Sequence, residues 1–298
     1  MSDALIDLHL HSTCSDGNES PRTVIEQAAL HGLDVVALTD HDTTEGWAEA
    51  AAACAELGLT FVPGMELSAT VPGGSVHILA YLFDPEEPAL AAECAQIRDD
   101  RYWRLDAMAD RLAVDYPQMT REFVHSFHTE GGTLGRPTLA RALQALGVVD
   151  SISEAFDTIL SADNDRYYVG HYAPTVERAI ELVRAAGGVP IMAHPWTLGR
   201  TSLAFAEMGD EAVHGIFARL AANGLAGVEI DHEENTPYGR ERLRVIAAEL
   251  GLIVTGSSDY HGRGMKPVSP GAHTTSPEMF ERIVSAASGS RVQWARPL

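Results

Sequence analysis

The sequence predicts an α/β protein with parallel strands, and three observations carry that prediction. Short β-branched or aliphatic runs alternate with helix-period segments, the pattern of repeated strand–helix units. The helices between the runs carry their own start and stop residues. Between the fourth and fifth runs lie about a hundred residues with helical patterns only, a gap too long for a loop and therefore an inserted helical subdomain.

The strands fall near residues 4–9, 35–40, 60–66, 76–83, 189–194, 226–231 and 252–258. After the first, Ser20 is placed to cap a helix with Pro21 at its first position and Gly32 beyond its end. After the second, Thr43 or Thr44 opens an alanine-rich helix that stops at Gly58. The insertion reads as helices over 88–115, 120–130, 137–146 and 153–161, and a further helix from Pro174 to Ala186 ends at Gly187-Gly188. The expected division is a main domain of residues 1–88 and 174–298 with a helical subdomain of 89–173 between. The fourth strand is the exception to the parallel pattern: His77 opens it, and the strand runs antiparallel or forms a hairpin with its neighbour.

Composition narrows the function. The 298 residues are 45% hydrophobic, enough for one large domain or a domain with an insertion. With 21 basic against 42 acidic residues the formal charge is -21, a surface that repels nucleic acid at long range and disfavours extended duplex binding. Small anions remain admissible where bound cations invert the local field. No apolar run is long enough to span a bilayer, and Met1-Ser2-Asp3-Ala4 does not read as a signal peptide. Cys14, Cys54 and Cys94 show no zinc-finger or redox spacing and read as free thiols of a cytoplasmic protein. Lys266 is the only lysine, so arginines near an anion site carry more weight.

Chemistry-bearing residues recur where the expected strands end. His9 and His11 alternate along the first strand and so share a side, with Asp16-Gly17 on the turn beyond. Asp40-His41-Asp42 follows the second strand, Glu66 ends the third, His194-Pro195 ends the fifth and Asp259-Tyr260-His261 ends the seventh. One His-x-His pair alone equally suits a polar strand end. With His77 opening the fourth strand these make six coincidences in one chain and point to metal, because neutral imidazole suits Zn, Fe, Ni and Cu. The inventory exceeds one tetrahedral shell of four ligands and fits two or three ions.

At these residues the chain resembles a known family. His9-Leu10-His11-Ser12, Asp16-Gly17, Thr39-Asp40-His41-Asp42, Gly64-Met65-Glu66, Ala193-His194-Pro195 and Ser257-Ser258-Asp259-Tyr260-His261 are similar to the motifs of the polymerase-and-histidinol-phosphatase (PHP) phosphoesterases. The resemblance implies a distorted seven-stranded (β/α) barrel and two to three divalent transition metal ions, Mn, Fe or Zn. It implies that His9, His11, Glu66 and Asp259 hold one ion, that Glu66 bridges to a second with His77 and His194, and that Asp16, His41 and His261 hold a third. Asp40 and Asp42 match positions that support ligands from behind. A hydroxide between the Glu66-linked ions is the implied nucleophile, and no side chain reads as a general acid.

Within that family, Gly135-Arg136-Pro137, Glu154-Ala155-Phe156 and Tyr167-Tyr168-Val169 of the insertion resemble the branch of 3′,5′-nucleoside bisphosphate phosphatases and 5′-end-trimming exonucleases. The expected substrate is a small phosphorylated molecule, a nucleotide, whose 3′-phosphate is hydrolysed and over which the insertion acts as a cap. A 5′-to-3′ exonuclease on short RNA and a histidinol-phosphate phosphatase are the alternatives, the long insertion arguing against the latter. Substrate contacts are expected from Asp16, His41 and His261, and from Arg101, Arg104 and Arg136, whose planar forks bind oxyanions bidentately. Tyr102 is a further contact in the predicted set. Tyr102, Trp103, Tyr167 and Tyr168 suit base stacking, although each taken singly reads as core. Arg98 and Arg111 read as a solvated face pairing with Asp99, Asp100 and Asp106. His31, His125, His128, His214 and His273 read as ordinary loop and helix histidines; His171 and His232 stay open, and Asn18 and Arg200 are weak phosphate candidates.

Overall fold

The computed structural model describes residues 4–127, 135–161, 164–197 and 209–295. They form two compact units, residues 1–94 with 173–298 and residues 95–172. His128 and Arg200 lie outside the described residues.

The first unit is built on one seven-stranded sheet in sequence order. Its strands are β1 (Ile6–Leu10), β2 (Val35–Leu38), β3 (Thr60–Val71), β4 (Gly74–Tyr81), β5 (Val189–Met192), β6 (Gly227–Asp231) and β7 (Ile253–Gly256). A bridge between Leu10 and Tyr260 joins the two ends, and the His11 N–H donates to the Tyr260 carbonyl at 2.8 Å, so the sheet is a nearly closed barrel.

The fourth strand is the exception that the sequence pointed to. β1, β2 and β3 run parallel, as do β5, β6 and β7, but β4 is antiparallel to both of its neighbours. The cause lies between Val71 and Gly74. A parallel partner needs a long crossover, whereas an antiparallel one needs only a tight turn, and Pro72-Gly73 supplies it with Gly73 at φ 81°. β3 therefore runs on to Val71 rather than ending at Glu66, and His77 lies within β4 opposite Ser68, diagonal to Glu66.

Both faces of the barrel strands are covered. In β2, Val36 and Leu38 pack with α1 (Pro21–Leu30) and α2 (Trp47–Leu57), while Val35 and Ala37 join Ile6, Leu8, Val62, Leu79, Tyr81, Ile191 and α10 (Pro277–Ala286) in a second cluster. Ser20 caps α1 as expected, its Oγ accepting from the Thr23 N–H at 3.2 Å. α2 starts later than expected, at Trp47. The Thr43 hydroxyl accepts from the Glu45 N–H and closes a turn ahead of the helix instead of capping it. Thr175 caps α7 (Val176–Ala185). α8 (Asp210–Ala222) and α9 (Pro237–Leu250) complete the helices of this unit.

Gly227 marks a close approach within the barrel. A Cβ there would lie 2.4 Å from the Ile253 carbonyl oxygen and 2.6 Å from Ile191 Cδ1. Gly227→Ala is therefore expected to destabilise the protein by about 1–3 kcal/mol, the cost of overpacking a core. Urea unfolding checks this, and an unchanged midpoint would show that β6 and β7 separate freely.

The second unit is helical. Residues of α3 (Pro88–Ala113), α4 (Arg121–His125), α5 (Arg136–Ala145) and α6 (Ile152–Asp157) surround a core of Leu105, Met108, Leu112, Val124, Leu139 and Leu143. Tyr102 and Trp103 are exposed rather than core, at 46% and 60%. Arg111 donates to the Tyr168 carbonyl at 2.6 Å and pairs with no aspartate side chain among the described residues, and Asp106 is taken by Arg121 and His125.

Candidate metal centre

The residues named from strand ends converge in the first unit. His9 lies on β1 and His11 just past it, His41 on the turn after β2, Glu66 within β3 and His77 within β4. His194 follows β5, and Asp259 and His261 follow β7. Asp42, His194 and Asp259 all adopt positive φ, at 55°, 25° and 51°, backbone that non-glycine residues rarely adopt. Such conformations persist only where the surroundings hold them, and they gather at functional sites.

Glu66 is the hub, 1% exposed. Its Oε2 faces His9 Nε2 at 3.1 Å, His11 Nε2 at 3.0 Å and His41 Nδ1 at 3.3 Å. Its Oε1 faces His77 Nδ1 at 2.7 Å and His194 Nε2 at 3.1 Å. The two oxygens thus serve different histidines, as a bridging carboxylate must. Asp259 Oδ1 completes the first group, 3.4 Å from His9 Nε2 and 3.3 Å from His11 Nε2. Asp16 gathers another group: its Oδ1 is 3.3 Å from His261 Nε2 and 3.8 Å from His11 Nδ1, and its Oδ2 is 3.8 Å from His41 Nε2.

Three sets of donor atoms are close enough to share an ion: His9, His11, Glu66 and Asp259; His11, Asp16, His41 and His261; and His41, Glu66 and His77. The first is the set implied by the resemblance. His41 stands between the other two, and His194 enters through its contact with Glu66 Oε1.

This donor set fits divalent transition metals. Among the described residues, Nδ1 of His41 and His77 lies against Glu66 without hydrogen-bond geometry, and Nδ1 of His194 has no hydrogen-bond partner either. Buried polar atoms are normally satisfied, and imidazole nitrogens aimed at carboxylate oxygens without a hydrogen bond are what a cation between them explains. Ring orientation agrees. Nδ1 of His261 donates to the Asp259 carbonyl at 2.8 Å and Nδ1 of His9 to Glu229 at 3.0 Å, leaving each Nε2 lone pair for an ion.

Electrostatics follows the same partition. Burial works to raise the Glu66 carboxyl, but His77, His41 and His9 hold it well below the usual carboxylate range. Burial resists protonation of His11, yet Asp259 and Glu66 lift it to about 9. His41 moves the other way, well below an ordinary histidine, because burial and the neighbouring His11 and His77 outweigh Glu66 and Asp16.

A supporting layer stands behind these groups. Asp40 accepts from the Ser12 N–H at 2.7 Å and the Ser15 hydroxyl at 2.6 Å, and Ser15 Oγ lies 3.3 Å from His11 Nδ1. Asp42 accepts from the Ser68 N–H and hydroxyl at 2.7 and 2.9 Å, fixing β3 two residues beyond Glu66. Three further residues were not in the predicted set. Glu229 of β6 contacts His9, Ser257 and the His194 backbone. His232 Nδ1 accepts from the Glu234 N–H at 3.1 Å, so its Nε2 donates to Asp259 Oδ2 at 3.2 Å. Lys266 pairs with Asp259 Oδ2 as well. His232 follows a strand, and Lys266 is the sole lysine; Glu229 carried no such signal.

The predicted arginines cluster in the second unit. Arg104 is buried and donates to the Val169 carbonyl at 2.6 Å, while its Nη2 is buried with no hydrogen-bond partner among the described residues. Its guanidinium carbon and that of Arg136 lie 5.1 and 5.7 Å from the Tyr168 ring. Burial and the charges of Arg136 and Arg101 bring Arg104 down to about 10. Tyr167 turns its hydroxyl to Asp115 at 2.8 Å, and Asn18 donates to the Arg263 carbonyl at 3.0 Å. His125 and His214 sit in ion pairs with Asp106 and Glu249, in keeping with their ordinary reading.

The PHP domain model matches residues 7–169. A 3′,5′-nucleoside bisphosphate phosphatase from Chromobacterium violaceum is 33% identical over 261 residues, 88% of this chain and 88% of the relative. A 5′-3′ exoribonuclease from Haemophilus influenzae is 30% identical over 255 residues, 86% of this chain and 89% of the relative. A solved structure from Bifidobacterium adolescentis, named for a metal-dependent phosphoesterase, superimposes with a TM-score of 0.86 at 38% identity, covering 95% of this chain and 96% of that one.

Proposed function

The chain belongs to the PHP domain family of metal-dependent phosphoesterases, and from that premise we propose that it removes the 3′-phosphate of nucleoside 3′,5′-bisphosphates. The observation that carries this choice is the donor set centred on Glu66, taken with 33% identity over 88% of the chain to a relative named for that activity. In the second unit Arg104 is buried, its Nη2 has no hydrogen-bond partner among the described residues, and the charges of Arg136 and Arg101 add to burial in lowering it. A substrate with two phosphates has one group to lose and one to be held, and Arg101, Arg104 and Arg136 are the proposed contacts for the second. The relative from C. violaceum acts, by its name, on such a substrate.

In this reading His9, His11, Glu66 and Asp259 hold one ion, Glu66 with His77 and His194 a second, and Asp16, His41 and His261, with His11 beside them, a third. Bound divalent ions supply Lewis-acid polarisation of phosphoryl oxygens and lower the pKa of water to ~7. The protein supplies the frame. Glu66 fixes the spacing of two histidine groups through its separate oxygens. Asp16, with a side chain 30% exposed, is the most open member of the set. A contact to the phosphate that does not react would let binding energy from a remote group be realised in the transition state.

A phosphate-release assay of the Mn-loaded protein tests this. The bisphosphate is expected to exceed the corresponding monophosphate by a large margin. Arg104→Ala or Arg136→Ala is expected to lower kcat/KM for the bisphosphate by ~1–3 kcal/mol of transition-state stabilisation, the range for hydrogen bonds to charged groups. Hydrolysis of p-nitrophenyl phosphate, which has no second phosphate, should barely change. Equal loss of both activities would assign the arginines to the fold. The similarity to the H. influenzae exoribonuclease favours a second reading, 5′-end trimming of short RNA. Release of mononucleotides from a 5′-phosphorylated oligoribonucleotide faster than phosphate from the bisphosphate would establish that reading instead.

A further inference from the structure

We propose that Glu229 is a positioning residue that locks His9 and His194 together from behind, and so couples the two ion sites that Glu66 joins from the front. The proposal rests on the metal reading above and extends it to a strand that supplies none of the clustered donors. Glu229 lies in β6 between Val228 and Ile230 and is fully buried, at 0% exposed. A buried carboxylate costs several kcal/mol unless its oxygens are satisfied, so an apolar residue there would be the easier choice for stability alone.

The oxygens of Glu229 are fully engaged. Oε1 accepts from His9 Nδ1 at 3.0 Å and from the Ser257 hydroxyl. Oε2 accepts from the His194 backbone N–H at 3.0 Å. The first contact sets the tautomer: a proton held on Nδ1 leaves the Nε2 lone pair of His9 aimed at Glu66 Oε2, 3.1 Å away. The second holds His194 at φ 25°, the backbone that carries its Nε2 to 3.1 Å from Glu66 Oε1. The two histidines that Glu229 grips therefore face opposite oxygens of Glu66. A glutamine in place of Glu229 has one acceptor oxygen and an NH2 group, and it cannot accept from all three donors. Its NH2 either meets Nδ1 of His9 and forces the wrong tautomer, or meets the His194 N–H donor to donor.

The test is chelator competition and elemental analysis with Zn(II) as the probe, on the parent and on Glu229→Gln. Removing a partner behind a metal-bound histidine weakens binding by roughly 10- to 100-fold. Two ions are expected to weaken together by that factor in Glu229→Gln, while the ion at Asp16 and His261 keeps its affinity. Parent-like affinities in a folded variant, or the weakening of a single ion, would overturn the proposal and leave the metal reading intact. A parent protein that binds no Zn(II) or Mn(II) would overturn both. Should Glu229→Gln not fold, 15N-histidine NMR of the Zn-loaded parent decides. A proton on Nδ1 of His9 with Nε2 metal-bound supports the proposal, and ligation through Nδ1 overturns it.

Discussion

Glu66→Ala is expected to strip at least two ions from the protein in one step and to lower turnover by ~10³-fold or more, beyond the loss of a single transition-state contact. The reason is the division of labour between its oxygens. His9, His11 and His41 face one, and His77 and His194 face the other. Glu229 also reaches both groups, but from behind, through His9 Nδ1 and the His194 backbone N–H. Asp259 reaches His9 and His11 only through Oδ1, and its Oδ2 is held by His232 and Lys266. The fold should survive the change, because the Glu66 N–H still donates to the Thr39 carbonyl at 3.0 Å and the β3–β4 ladder continues on both sides. Elemental analysis after Mn reconstitution, with circular dichroism on the same sample, measures this. Loss of one ion with the others retained would show that Glu66 belongs to a single site. Metal depletion of the parent should reproduce the loss of activity reversibly, whereas the variant should not recover with added Mn.

The contrast between Glu66 and Glu229 shows what the sequence made legible. His9 and His11 are two apart, so strand periodicity alone puts them on one side, and Asp259 and His261 repeat that spacing after β7. Glu66 was legible as a candidate ligand, but its place was misread. The Pro72-Gly73 turn lets β3 continue to Val71, so the residue lies mid-strand and not at an end. The same turn explains His77, whose place pointed to an antiparallel or hairpin strand and which lies opposite Ser68 in the β3–β4 hairpin. Glu229 had no such marker. A lone glutamate in Gly227–Asp231 looks like any polar position in a short strand, and the histidine that explains it lies 220 residues away. Contacts of that range are set by barrel closure, which local pattern does not encode. His232 is a related case. Its place after a strand was visible, but its role depends on the Glu234 N–H, which fixes the ring as a donor to Asp259. The core reading of Tyr102 and Trp103 taken singly fails because a helix carries a solvent face whatever its composition, whereas Tyr167 is buried as that reading expects.

Asp16→Asn should separate the third ion from the other two. The resemblance offered Asp16, His41 and His261 equally for this purpose, but the geometry singles out Asp16. His41 faces Glu66 Oε2 through Nδ1 as well as Asp16 through Nε2, so its removal would disturb two groups at once. His11 has the same double allegiance, with Nε2 at Glu66 and Nδ1 toward Asp16. Asp16 touches only His11, His41 and His261 among these histidines and makes no contact with Glu66. Asparagine keeps its shape while removing the charge that draws a cation to this corner. The expected result is a loss of about one ion per chain with a fall in turnover of ~10²- to 10³-fold, the scale for losing one major stabiliser of transition-state charge. The Glu66-linked pair should stay bound with unchanged affinity in the same titration. Near-normal turnover with one ion missing would show that corner to be structural, and it would move substrate binding onto the Glu66-linked ions alone. A fall in turnover with full metal content would assign Asp16 to the substrate rather than to an ion, because a carboxylate that holds no metal can act only on the bound phosphate or its leaving oxygen.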